Sequence, residues 1–183
     1  MSRSLTAQDR SSLIRLASSL PAGSAERKAI LAGLAQTKQA SGEINVPGKH
    51  IQDSAMVSEN ARVYDNARVY DNARVYGDAF VSDDAKVYGY ADVYGNALVY
   101  GDAYVYENAL VYGDAYVYES AKVYGDAKVF GKAKVYGRAE VSGRAKVFGK
   151  ARIGGTAVIL GGEWDGSEGE VLSGRWNAPG VPA

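Results

Sequence analysis

Alanine returns at every sixth position of this 183-residue chain, without a break, from Ala55 to Ala157. Two places after each alanine stands Val or Ile, from Val57 to Ile159, as in the stretch ARVYDNARVYDNARVYGDA at residues 61–79. Eighteen hexads with the consensus A-x-V-[Y/F/S]-[G/D/E]-[N/D/K/R] thus fill residues 55–162. A helix is excluded, because six is no multiple of the helical period and glycine recurs along the run. Within A-x-V the apolar residues alternate, which is strand periodicity, whereas G-D, D-N, E-N and G-K are turn pairs. Each hexad is one short strand and one tight corner.

Such a unit cannot bury a face alone. Winding three of them into a triangular coil, with the next coil stacked above, places every Ala and Val in one continuous narrow core. Eighteen hexads make six coils, a rod of roughly 30 Å at about 4.8 Å per coil. An aliphatic residue followed four later by a small one (Val63 then Ala67, Val69 then Ala73) resembles the hexapeptide repeat of left-handed parallel β-helices. That resemblance covers residues 55–162 and implies the left hand of the coil, which spacing alone does not give. The expected fold is an all-β solenoid of about six triangular coils.

Both ends of a solenoid need covering, since unpaired strand edges invite polymerisation. Residues 1–40 read as a short helical hairpin. Thr6 caps a helix carrying Leu13, Ile14, Leu16 and Leu20; Pro21 and Gly23 break it; Ser24 caps a second helix with Ile30, Leu31 and Leu34. The hairpin either plugs the first coil or stands off as a docking segment. Its leader, SLPAGSAERKAILAGL, is similar to N-terminal leaders of large tailed-phage proteins, which implies a virion or other assembly context. Residues 41–54 read as a linker and the start of the solenoid, with Ile51 on the Val register. Residues 163–183 carry Trp164 and Trp176 and read as a cap whose indoles cover the last layer, followed by an extended tail; ligand stacking by the indoles is the alternative.

The chemistry available is narrow. There is no cysteine and one histidine, His50, with Asp53 near it but no evident pocket. Acyltransferases of the hexapeptide-repeat family use a catalytic histidine beside a loop that interrupts the coils, and the hexads here run without such a loop. Metal-dependent members similar to γ-type carbonic anhydrases need three histidines. Ice-binding β-helices need regular threonine rows, and the hexads hold only Thr156. Asp83, Asp84 and Asp102 read as ordinary turn formers. No catalytic residue, metal site or cofactor is expected. Polar residues throughout the N-terminus and the lack of a long apolar run predict no signal peptide and no membrane span, hence a soluble, cytoplasmic or assembly-associated protein.

With three faces per coil, residues 18 apart stack. The position after each Val then forms three ladders. The first face carries Tyr76, Tyr94, Tyr112, Phe130 and Phe148; the second Tyr64, Tyr100, Tyr118 and Tyr136, interrupted by Ser82; the third Tyr70, Tyr88, Tyr106 and Tyr124. Such rows stabilise neighbouring strands, and rows of exposed rings also suit sugar, nucleobase or protein contacts. The x position also points outward. It is usually charged, but Phe80, Leu98 and Tyr116 line the second face beside Tyr100 and Tyr118. These five are the expected interface of a homo-oligomer, and the family resemblance implies parallel trimers.

Charge is divided along the chain although the total is zero. Residues 53–120 hold 12 acids and 4 bases, net −8, and residues 121–152 hold 9 bases and 2 acids, net +7. Lys128, Lys132, Lys134, Arg138, Arg144, Lys146, Lys150 and Arg152 are candidate anion-binding residues, for nucleic acid or for the acidic part of a second rod. The functional expectation is a non-enzymatic, self-associating scaffold that docks through its N-terminal segment, in a phage or other assembly. Alternatives are a filament-forming scaffold resembling bactofilins, a ligand- or nucleic-acid-binding module, and last an acyltransferase.

Overall fold

A computed structural model of the chain describes residues 13, 15–17, 19–20, 26, 30, His50–Ile51 and 54–183. The chain divides into two units, Met1–Val46 and Pro47–Ala183. In the first, Leu13, Arg15, Leu16, Ala17, Ser19, Glu26 and Ile30 are helical, and the Ser19 hydroxyl donates to the Leu16 carbonyl at 2.7 Å. The expected caps Thr6 and Ser24, and the turn at Pro21 and Gly23, lie outside the described residues.

The second unit is a parallel β-solenoid. Its strands are two residues long through the repeat, each the x-V pair of a hexad, from Met56–Val57 to Val158–Ile159. Valine and isoleucine favour this extended conformation, and the alternating burial directs them inward. Every third strand pairs in parallel at a spacing of 18 residues, as Val63 with Val81 and Val81 with Val99. Three sheets of seven, seven and nine strands form the first, second and third faces, so the solenoid has about seven coils rather than six. At about 4.8 Å per coil this unit is roughly 34 Å long.

The extra coil lies at the two ends. His50–Ile51 pairs with Arg68–Val69, which starts the ladder before Ala55. Beyond Gly162, Glu163–Trp164, Glu170–Val171 and Arg175–Ala178 continue the three sheets. Their hexad pattern is disguised because two corners lose a residue and the one between them gains one, so Glu163 pairs with Lys146 and Arg175 with Val158 at 17 residues, while Glu170 pairs with Arg152 at 18. Trp164 takes a valine's inward place and is 2% exposed, with its indole N–H donating to the Gly161 carbonyl at 2.8 Å. Trp176 packs edge-on against it at 6.5 Å. Val181–Pro182 then turns back antiparallel on the last strand of the third face, which covers that edge.

The core is a single column. Ala67 through Ala145 and Val69 through Val147 are fully buried at each repeat, and Ile153, Ile159 and Trp164 close it. Backbone N–H groups donate up the rod to the coil above, as Tyr106 to the Val123 carbonyl at 3.0 Å. The ladder bends around the corners as well, where Asn108 donates to Gly125 at 3.0 Å.

Candidate interaction surfaces

The outward rings form the ladders that the 18-residue spacing predicts. On the third face Tyr70, Tyr88, Tyr106 and Tyr124 stack at 4.8–4.9 Å, within 6° of parallel. On the first face Tyr76, Tyr94, Tyr112, Phe130 and Phe148 stack at 4.8–5.1 Å. Tyr100, Tyr118 and Tyr136 do so on the second. Each inner ring has both flat sides covered by its neighbours, so mainly edges and hydroxyls face outward. That geometry favours the stabilising role of the ladders over base or sugar stacking. Burial pushes the phenols of Tyr106 and Tyr118 up to about 12, with the neighbouring rings and Glu107 or Glu119 adding to the effect.

The second face differs from expectation. Phe80 and Leu98 are 2% exposed, Tyr116 6% and Tyr100 8%, and Tyr118 is half-buried. They are therefore not an exposed apolar row. Phe80 meets the Tyr64 ring at 5.1 Å with the planes tilted by 40°, while the Lys134 ammonium sits 5.2 Å from the Tyr116 centroid.

The eight basic residues do not form one patch either. Lys128 stacks on Lys146 on the first face, and Lys134 on Arg152 on the second. Lys132 and Lys150 share the corner after the first face, whereas Arg138 and Arg144 stand on the other two corners. Several are already engaged: Lys146 with Glu163 at 2.7 Å, and Arg152 with Glu170 at 2.7 Å. The Tyr136 hydroxyl and Arg152 together hold the Glu170 carboxyl below the usual range. Lys128, Lys132, Arg138, Arg144 and Lys150 are exposed and make no ion pair with any described residue.

Other polar contacts also run one coil up. Arg74 makes two bonds to the buried Asp92 carboxylate, at 2.7 and 2.6 Å, and Lys122 bonds Glu140 at 3.1 Å. The corners hold a device that turn propensity does not reveal. Asp65, Asp71, Asp83, Glu107 and Glu119 all adopt the left-handed conformation, with φ from 55° to 59°. Four of these carboxylates accept the N–H of the glycine one coil on: Asp71 from Gly89, Asp83 from Gly101, Glu107 from Gly125 and Glu119 from Gly137, at 2.8–3.3 Å. Asn66, Asn96 and Asn108 likewise donate to Asp84, Asp114 and Asp126. The signal in the sequence is an acid followed 18 residues later by glycine, or Asn followed by Asp.

His50 lies in the first strand of the third face, while Asp53 is outside the described residues. Among the described residues no group of three or more His, Cys, Asp or Glu could hold a metal ion. No described helix is long and apolar enough to cross a membrane. Among the described residues, one shallow cleft is lined by Met56, Arg74 and Tyr76 and another by Trp164, Leu172 and Trp176.

Comparison with known proteins adds one finding. A family model, the YdcK beta solenoid repeat, matches residues 61–77, 67–83 and 93–107. No curated protein and no solved structure matches the chain. The chain is a β-solenoid repeat protein, similar over those stretches to the YdcK beta solenoid repeat.

Proposed function

We propose that this chain is a non-enzymatic scaffold: a stiff rod that holds rows of side chains at fixed spacing for assembly with other molecules. The observation that carries the reading is the unbroken 18-residue register from His50 on Arg68 to Val141 on Ile159, in which every coil repeats the one below. The hexads' likeness to the hexapeptide-repeat family and the leader's likeness to those of tailed-phage proteins favour an assembly role. Stacked rings, corner carboxylates and inter-coil ion pairs all tie one coil to the next, which stiffens the rod along its axis.

Native-state hydrogen exchange on the full chain, with and without acetyl-CoA, tests this. A scaffold gives slow exchange that is even across the central coils and unmoved by the acyl donor. A saturable change with acetyl-CoA, lost in His50→Ala, would replace the scaffold with an acyltransferase.

A further inference from the structure

The corner after the first face is unlike the other two. Its column of outward residues runs Asn60, Asp78, Asn96, Asp114, Lys132, Lys150, one per coil from the N-terminal end. Five successive coils place glycine beside this column, at Gly77, Gly95, Gly113, Gly131 and Gly149, so no side chain projects there as Asp71 or Glu107 does elsewhere. Asp78, Lys132 and Lys150 are exposed and have no ion-pair partner among the described residues. Asp78 and Lys132 are three coils apart, about 14 Å, and cannot satisfy one another within the rod.

We propose that this corner docks a second copy of the chain in antiparallel orientation, about a two-fold axis between the levels of Asn96 and Asp114. An isologous contact brings each residue opposite its counterpart reflected through the axis. Asp78 then faces the partner's Lys132, Asn96 faces the partner's Asp114, and Asn60 faces the partner's Lys150. Each of these three contacts occurs twice. No like charges stand directly opposite, and the two Asp114 carboxylates, one coil apart across the axis, each hold the Asn96 amide of their own chain. A parallel, in-register pair would instead set Asp78 on Asp78 and Lys132 on Lys132, so the column selects against the parallel bundle that the fold family implies. The axial separation of acids and bases therefore sets direction as well as attraction. This inference concerns pairing alone and does not depend on the scaffold reading.

Sedimentation velocity on the full chain tests it. The wild type dimerises at an ionic strength of about 0.01 M and dissociates near 1 M, where the screening length falls from about 30 Å to about 3 Å. Asp78→Lys and Lys132→Asp each lose the low-salt dimer, because each sets like charges face to face. The double variant, and an equimolar mixture of the two single variants, regain it. Circular dichroism matching the wild type shows that each variant is folded. A wild type monomeric at every salt concentration would overturn the proposal, as would single reversals that leave the dimer intact. A double variant that stays monomeric although folded would do so too. A wild type that stays monomeric yet binds single-stranded DNA through Lys132 and Lys150 would assign these lysines to a polyanion instead.

Discussion

At Gly113 the structure predicts that a larger, charged side chain is better tolerated than alanine. Gly113 has φ 71°, and a Cβ there would lie 3.1 Å from the Gly131 nitrogen and 3.4 Å from its oxygen. Alanine bears the left-handed penalty of about 1–2 kcal/mol and gains nothing in return. For a chain of this size that lowers Tm by about 2–8 °C. Glutamate bears the same penalty, but its carboxylate reaches the Gly131 N–H as Glu107 reaches that of Gly125 at 2.8 Å. A hydrogen bond to a charged group contributes about 1.5–3 kcal/mol, less where solvent screens it, which offsets most of the penalty. Gly113→Glu should therefore melt near the wild type, Gly113→Ala clearly below it, and the uncharged Gly113→Gln between them. The assay is thermal denaturation at neutral pH and high salt, where association is suppressed. Alanine melting at or above glutamate would refute the reasoning, because only the inter-coil bond separates them in that order.

Three further outcomes follow from the packing. Tyr106→Ala removes two stacked neighbours and Tyr124→Ala only one, so at about 0.5–1.5 kcal/mol per pair the first should lose about twice the stacking stability in a denaturant titration. Trp164→Ala empties the last core layer and should cost about 3–5 kcal/mol, with hydrogen exchange rising first in the C-terminal strands. The phenols of Tyr106 and Tyr118, raised to about 12, favour the folded state below an unfolded-chain value of about 10. That contribution is lost as pH climbs from about 10 to about 12, so alkaline unfolding and phenolate absorbance should rise together within that window, and Tyr118→Phe should delay the unfolding.

The repeat made the fold legible because burial alternates with one period over eighteen hexads, and one geometry satisfies all of them. The register of Val63 on Val81, the three ring ladders and the place of Ile51 all follow from it. The seventh coil was hidden because Trp164 and Trp176 replace valine just where the corners change length, two shorter and one longer by a residue. Phe80 and Leu98 are a different case. An outward apolar residue has the same composition whether its own chain or another covers it, and only the structure shows these two buried. Asp83 looks like an ordinary turn former in the sequence because its partner, the Gly101 N–H, lies 18 residues away and is invisible to local propensity.

Disulfide trapping tests the coil geometry most directly, since the chain has no cysteine to interfere. Lys128 and Lys146 are register partners on adjacent strands of the first face, about 4.8 Å apart and within disulfide reach. Lys128 and Lys134 are only six residues apart but lie on different faces. Under mild oxidation, Lys128→Cys with Lys146→Cys should close an intramolecular bond, and Lys128→Cys with Lys134→Cys should not. A bond in the second pair and none in the first would contradict an eighteen-residue coil.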